Sequence, residues 1–158
     1  MKNLTTEERF YLAGFLDGDG SIFAQLVRGN DLKYKYRIRV SIAFYQNKRY
    51  SWFLTNLQKD FKCGSIRTKT DDVVEYLITG ADPVKNLLLQ IKDCLVLKKR
   101  QANLVLEILE RKTKIKSKSD FLEVCQLTDK VAMLNYSKKR TITAKDVEKV
   151  LFPNDTIL

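Results

Sequence analysis

The segment of residues 33–45, KYKYRIRVSIAFY, alternates between two kinds of side chain. Because successive side chains of a β-strand point to opposite faces, this pattern predicts a strand with one apolar face and one polar, mostly cationic face. The even positions supply aromatic and branched aliphatic residues, and the odd positions form the outward face: Lys33, Lys35, Arg37, Arg39, Ser41, Ala43 and Tyr45. A chain with such a strand must cover one face of a sheet and leave the other open.

Other segments match this strand in their alternation. Residues 21–28 are joined to it by the turn Gly29-Asn30-Asp31, and a second hairpin is predicted from residues 65–69 and 74–78. Their outward parity adds further residues to the open face: Phe23, Gln25, Val27, Arg67, Lys69, Glu75 and Leu77. The sequence thus predicts a four-stranded antiparallel sheet with helices on one face and a mostly basic face exposed.

The segments around these strands have helical spacing. A capping box, Thr5-x-x-Glu8, starts the first helix near Thr6, and this helix ends within residues 17–20. Further helices are predicted over residues 48–61, 83–95, 97–109, 121–134 and 144–151, the last after a second capping box at Thr143. With 158 residues, 44% of them hydrophobic, the chain suits a single α+β domain.

The charge balance indicates a polyanionic partner. The chain has 29 Lys and Arg against 19 Asp and Glu, a net charge of +10, which favours nucleic acid over an anionic membrane surface. Lysines and arginines on an edge strand also prevent aggregation, but that role rarely needs four cations in register. A basic ribbon fits the DNA major groove, where Arg and Lys read guanine, Gln reads adenine, and Phe23 or Leu77 contacts thymine methyl groups.

Several residue types are absent or sparse. There is no histidine, which excludes Ser-His-Asp and Cys-His triads, histidine-dependent metal nucleases and Cys/His zinc fingers. Cys63, Cys94 and Cys125 lie far apart and are predicted to be reduced thiols. No apolar stretch has membrane-spanning length and no secretion signal is recognisable, so we expect a soluble intracellular protein without a membrane partner. An enzyme of this composition must use carboxylates, Lys, Tyr or a hard metal ion.

The first helix ends in two acidic residues, Asp17 and Asp19. A helix C-terminus carries partial negative charge, so each carboxylate there costs about 0.3–1 kcal/mol unless it is compensated. A hard divalent cation, bound by carboxylates and exposed backbone carbonyls, is one compensation. An Asp-rich turn between helix and strand is the other interpretation.

Gly14 lies inside the same helix, where glycine costs roughly 1 kcal/mol relative to alanine. Together with Ala13 and Gly18 it forms a stripe of small residues. Such a stripe allows close contact with the chain's own sheet or with a second copy of the helix. The second arrangement would bring two Asp19 carboxylates together.

Residues 12–20, LAGFLDGDG, closely resemble the motif of the LAGLIDADG homing endonucleases. The blocks at residues 21–22, 52–54, 98–106 and 121–125 also resemble the single-motif, homodimeric type of this family, whose members are intron-encoded in algal organelles. The resemblance covers nearly the whole chain. It implies an αββαββα core over residues 1–112 with a C-terminal helical extension over residues 113–158.

The resemblance implies a site-specific endonuclease that cuts both strands of a long, nearly palindromic DNA site. It implies Mg²⁺ as cofactor, with Mn²⁺ able to substitute, and Asp19 and the Gly18 carbonyl as metal ligands. Gln46 and Lys98 would organise the hydrolytic water and the scissile phosphate, although each also suits a plain structural position. The dimer interface would include one run of the first helix: Leu12, Ala13, Gly14, Phe15 and Asp17, the last of which would stabilise the helix end.

Further DNA contacts are implied at Ser137 and Lys138, in a loop that resembles the family's phosphate-contacting segment. The chain departs from its relatives at Tyr50, where they carry Arg, and Lys48 or Arg49 would then contact the phosphate. The alternatives are an intron-RNA splicing maturase, a non-cleaving DNA-binding protein of the same fold, and an interaction protein whose helix only dimerises. The resemblance also implies an organelle, the chloroplast before the mitochondrion.

Overall fold

The first helix begins at the predicted capping box. The Thr5 hydroxyl accepts a hydrogen bond from the Glu8 backbone N–H at 3.2 Å, and the Glu8 carboxylate accepts one from the Thr5 N–H at 2.9 Å.

The computed structural model describes residues 1–70, 72–136 and 140–153. The elements follow in this order: α1 (Thr6–Asp19), β1 (Gly20–Arg28), β2 (Tyr36–Asn47), a 3-10 helix (Lys48–Tyr50), α2 (Ser51–Phe61), β3 (Ser65–Thr70), β4 (Val73–Thr79), α3 (Ala81–Ile91), α4 (Lys99–Lys112), α5 (Lys118–Leu134) and α6 (Ala144–Leu151). The α+β fold and each predicted helix and strand are confirmed, with ends shifted by a few residues.

The four strands form one antiparallel sheet in the order β1-β2-β4-β3. The central strand β2 pairs with β1 from Gly20 opposite Phe44 to Arg28 opposite Tyr36. Its even positions are buried, as the alternation predicts, and they pack with the helices in one core. The odd positions point to the other face of the sheet, away from the helices. We call this other face the open face.

The loop between β1 and β2 is longer than predicted. The strand does not begin at Lys33 but at Tyr36, because residues 29–35 close a turn in which the Gly29 N–H donates to the Lys35 carbonyl at 3.0 Å. Lys35 adopts a left-handed conformation with φ of 61°, which a strand residue does not adopt. Within the loop, the Tyr34 ring stacks on Phe121 of α5 at 4.7 Å between centroids. Lys33 and Lys35 are therefore exposed residues of the hairpin tip.

Gly20 fixes the junction between α1 and β1. A Cβ atom at this position would lie 2.5 Å from the Leu16 Cδ1 atom and 2.9 Å from the Ala43 carbonyl oxygen. Only glycine fits so close to a neighbouring strand. The end of α1 is thereby held directly against the central strand.

Among the described residues, no helix has the length and apolar character needed to cross a membrane.

Candidate active site and nucleic-acid interface

Asp19 is the last residue of α1, and its side chain is exposed. Within the described ranges 1–70, 72–136 and 140–153, this carboxylate makes no hydrogen bond or ion pair. The neighbouring Gly18 lies in the last turn of the helix, where backbone carbonyls have no intrahelical donors. The helix therefore presents a set of oxygen ligands to solvent at its C-terminal end.

Asp17 is used inside the fold. Its Oδ2 atom accepts hydrogen bonds from the backbone N–H groups of Val96 at 2.7 Å and Leu97 at 3.1 Å, and its Oδ1 atom accepts one from Lys98 at 2.9 Å. These groups precede α4, which has no side-chain cap of its own. The positive end of the α4 dipole thus compensates the acidic residue at the end of α1.

We predict that Asp17→Ala destabilises the protein. The substitution leaves three backbone N–H groups without their acceptor, at a cost of about 2 kcal/mol. For a chain of this size the melting temperature should fall by about 4–8 °C. Thermal unfolding at one protein concentration measures this. Asp19→Ala is the control and should leave the melting temperature nearly unchanged; an equal fall in both variants would contradict the assignment.

Lys98 and Gln46 lie at the same end of the sheet as Asp19. The Lys98 ammonium donates to the Asp17 backbone carbonyl at 2.5 Å, which holds it against the last turn of α1. Gln46 follows Phe44, the partner of Gly20, by two residues on β2, so its position extends the sheet beside the end of α1. The Gln46 Oε1 atom accepts a hydrogen bond from the Asn47 N–H at 2.8 Å. The three predicted catalytic residues are thereby brought to one end of the molecule.

The open face of the sheet is polar and cationic on the strands β1 and β2. Gln25, Arg37 and Arg39 are exposed there, and Phe23 and Val27 are partly exposed. Gln25 and Arg39 lie directly opposite each other, and the Arg39 Nη2 atom donates to Gln25 Oε1 at 2.7 Å. This half of the face contains no acidic residue.

The other half of the face has an ion-pair network around Glu75. Arg67 forms a very short salt bridge with the Glu75 carboxylate, and the Lys69 ammonium lies 3.9 Å from it. Burial and the neighbouring Glu75 charge raise the pKa of Tyr45 to about 12, so its hydroxyl keeps its proton at neutral pH. Arg67 and Lys69 are exposed and Leu77 is partly exposed, but Glu75 is only 1% exposed. Glu75, predicted to contact DNA, instead positions Arg67.

Two further residues of the predicted face are not open to a ligand. Ser41 and Ala43 are 1% and 0% exposed, although they have the outward parity. Both lie on the central strand between β1 and β4, and the Ser41 hydroxyl is hydrogen-bonded to the Thr79 hydroxyl at 3.0 Å. The prediction that these side chains contact DNA is corrected accordingly, because both side chains are small and almost no part of either residue is accessible.

The remaining predicted DNA contacts lie outside the strands. Lys48 and Arg49 are exposed in the 3-10 helix that also contains Tyr50, which is 49% exposed. Ser137 and Lys138 lie outside the described residues. Arg140, from the same basic run, is engaged within the fold: it forms a salt bridge with Asp129 and donates to the Thr128 carbonyl at 3.3 Å.

One side of α1 is exposed, and it differs from the predicted interface. Leu12 and Ala13 are 3% and 0% exposed because they pack into the chain's own core, so their prediction as interface residues is wrong. Phe15 is partly buried and stacks on Phe44 at 5.3 Å. The exposed residues form what we call the α1 patch, together with apolar neighbours from α2 and the segment before α4: Phe10, Tyr11, Gly14, Gly18, Trp52, Val96 and Leu97.

The α1 patch was missed except for Gly14 and Gly18 of the small-residue stripe, although the sequence contains a signal for it. Tyr11, Gly14 and Gly18 recur at the spacing of one helical face, opposite the face of Leu12 and Leu16. The Tyr11 ring packs edge-on against Phe53 at 5.7 Å, and Phe53 in turn contacts the Trp52 ring at 6.1 Å. Contiguous exposed apolar patches of this kind mark contact surfaces.

Comparison with known proteins identifies the family. Residues 12–105 match the family model of the LAGLIDADG endonucleases. The chain is 40% identical over 142 residues to DNA endonuclease I-CreI of Chlamydomonas reinhardtii, covering 89% of this chain and 86% of that protein. It is 38% identical over 141 residues to DNA endonuclease I-CvuI of Chlorella vulgaris, covering 89% and 88%. The chain belongs to the LAGLIDADG endonuclease family.

The fold of this LAGLIDADG endonuclease is also that of a solved relative. The structure of I-CvuI with the I-CreI target in 2 mM Mg, in which the DNA is not cleaved, has a TM-score of 0.86 and 35% identity. The match covers 96% of this chain and 97% of that chain. In the part of this chain that the structure describes, no group of three or more Asp, Glu, Cys or His residues is arranged to hold a metal ion. At the end of α1, the Asp17 carboxylate is engaged by backbone N–H groups, and Asp19 supplies the other carboxylate.

Proposed function

We propose that this protein is a site-specific double-strand DNA endonuclease that acts as a homodimer and cuts a long, nearly palindromic site by metal-dependent phosphodiester hydrolysis. One observation carries the proposal. The Asp19 carboxylate, which has no hydrogen bond or ion pair within the described residues, lies where the α1 patch meets the end of a basic sheet face. Asp19 is thereby adjacent both to a surface that binds DNA and to a surface that binds a second copy of the chain.

The residues at the end of α1 fit a hard divalent cation. The Asp19 carboxylate and the helix-end carbonyl of Gly18 are oxygen donors, the ligand type that Mg²⁺ prefers. When bound, Mg²⁺ would lower the pKa of a bound water and stabilise negative charge on the phosphate. The related I-CvuI complexes with DNA in the presence of Ca or Mg support a divalent cation at this site. We extend the proposal to Mn²⁺, which accepts the same oxygen ligands.

One carboxylate is too few for such a site, and this favours a dimer. Close packing of two α1 patches would bring the second Asp19 and both scissile phosphates to the same place. The exposed Gly14 and Gly18 permit that approach, since glycine has no side chain to separate two helices. In this arrangement each subunit serves one DNA strand.

The chain's own residues supply the remaining roles. Lys98, held at the last turn of α1, neutralises charge on the scissile phosphate. The Gln46 oxygen accepts the Asn47 N–H with one lone pair, and its second lone pair and the Nε2 donors remain to orient the attacking water. Lys48 and Arg49 contribute further positive charge beside them. No nucleophilic side chain is required: water attacks the phosphorus and gives up a proton, the bond from phosphorus to one ester oxygen breaks, and that oxygen leaves as a hydroxyl group by taking up a proton.

The intron-RNA maturase is not favoured as an alternative. Both relatives described above are named DNA endonucleases, and the I-CvuI structure contains a DNA target. Within the described residues the Asp19 side chain makes no hydrogen bond or ion pair, which favours a role in catalysis over a structural role. A surface for base contacts remains on β1 and β2, where Gln25, Arg37 and Arg39 are exposed.

The proposal is tested by selecting cleaved molecules from a randomised double-stranded DNA library, with Mg²⁺ or with a chelator. We expect a nearly palindromic site to be cut only when Mg²⁺ is present. Parallel selection for binding shows whether recognition and cutting separate. Recovery of bound but uncut DNA under every metal condition would contradict the nuclease assignment and leave a DNA-binding protein.

A further inference from the structure

The side chains of Gln25 and Arg39 form a pair on the open face of the sheet. They are direct cross-strand neighbours on β1 and β2, and both are exposed. The Arg39 Nη2 atom lies 2.7 Å from Gln25 Oε1, the length of a strong charge-assisted hydrogen bond. The pair is therefore held together before any ligand arrives.

The hydrogen bond changes what Gln25 can offer to a ligand. Arginine has donors only, so the glutamine atom that it contacts must be the amide oxygen. An unpaired glutamine presents one acceptor and one donor side by side, which matches N7 and N6 of adenine. Arg39 takes one lone pair of the Gln25 oxygen, so the pair presents the two Nε2 donors and the remaining donors of the guanidinium group beside a single remaining acceptor position.

A surface dominated by donors is selective among bases. In the major groove, guanine presents two acceptors, N7 and O6, whereas thymine presents one, O4, and adenine and cytosine each present an amino group that would face a donor. We propose that Gln25 and Arg39 act as one unit that reads guanine at a single position of each DNA half-site. This inference rests on the proposed DNA-binding function, and it replaces adenine with guanine as the base expected for Gln25.

The neighbouring cations differ from this pair. Arg37 lies opposite Val27, and no partner for its guanidinium occurs among residues 1–70, 72–136 and 140–153. On the other half of the face, Arg67 is bound to a carboxylate, which removes one of its donors and cancels its charge. Arg37 is therefore the matched control, because its loss removes the same charge from the same strand without releasing Gln25.

The experiment compares base preferences from binding selections on a randomised duplex library. The proteins are the unmodified chain, Arg39→Met, Arg39→Lys, Gln25→Leu and Arg37→Met. In the unmodified protein we expect a guanine preference of about tenfold or more at one position in each half-site. Gln25→Leu should remove it, which identifies the position that the pair contacts.

The two Arg39 variants distinguish the effect of the hydrogen bond between Arg39 and Gln25 from the effect of the Arg39 charge. Arg39→Met frees the Gln25 oxygen, so the preferred base at that position should change from guanine to adenine. Arg39→Lys retains a donor to the oxygen and should keep guanine. Arg37→Met should weaken binding and change the base preference at another position of the DNA. The base preference at the position that Gln25 contacts should stay the same.

Two results would overturn the inference. If Arg39→Met lowers overall affinity and guanine remains preferred at the position identified by Gln25→Leu, the pair does not read the base as a unit. The same holds if the unmodified protein prefers adenine there. If the unmodified protein enriches no sequence, the proposed DNA-binding function fails, and the inference fails with it.

Discussion

Asp19→Asn is expected to abolish DNA cleavage and to preserve DNA binding. The amide has nearly the same shape as the carboxylate but no charge, so it is a poor ligand for a divalent cation. The loss of metal-assisted catalysis corresponds to several kcal/mol, or on the order of 10³-fold or more in rate. Cleavage of the selected target and gel-shift binding are measured on the same preparation.

The structure explains why this variant should still fold and bind. Asp19 makes no hydrogen bond or ion pair in the described part of the chain, in contrast to Asp17, which accepts three backbone hydrogen bonds. Asp82→Asn is the matched control, because it removes the same charge from an exposed position in the first turn of α3. It should cut normally. Persistent cleavage by Asp19→Asn would disprove the metal assignment.

Gly14→Leu is expected to prevent dimerisation and, as a result, double-strand cleavage. A Cβ atom at Gly14 meets nothing within 4 Å in the single chain, and leucine has the higher helix propensity by up to about 1 kcal/mol. The monomer should therefore be no less stable. In a symmetric dimer, the two added side chains would separate the helices at a cost of roughly 2–6 kcal/mol.

Sedimentation analysis across a concentration series measures this effect, and thermal unfolding shows that the chain is folded. Gln126→Leu places the same side chain on an exposed position of α5 and is the control. It should dimerise and cut as the unmodified protein does. A Gly14→Leu protein that still dimerises and cuts would show that the α1 patch is not the contact between subunits.

Local patterns in the sequence predicted most of the fold. The alternation of β2 separated buried from outward positions, and the capping boxes at Thr5 and Thr143 marked two helix starts. The alternation could not show that β2 is the central strand, because strand order depends on contacts between distant segments. This is why Ser41 and Ala43 were expected to be exposed. The turn at Lys35 was missed because a lysine rarely adopts a left-handed conformation.

The sequence predicted which residues form the candidate site, but not the hydrogen bonds that join them to distant parts of the chain. The acidic end of α1 predicted a compensating positive charge, and for Asp17 that compensation is the N-terminus of α4, far along the chain. The small residues Ala13 and Gly14 were grouped as one stripe, although adjacent residues on a helix point about 100° apart. Ala13 consequently faces the core and Gly14 faces solvent.

The length of the paired strands β1 and β2 sets the length of DNA that the sheet can span in the proposed target. Nine residues of β1 run from the active-site end at Gly20 to the hairpin tip at Arg28, a span of about 26 Å. Because duplex DNA advances 3.4 Å per base pair, this span corresponds to about 8 base pairs in each half-site. Inserting one residue into β1 would turn every side chain beyond it to the opposite face. Without a β-bulge, an insertion that keeps the outward side chains on the open face must therefore add residues to β1 in pairs.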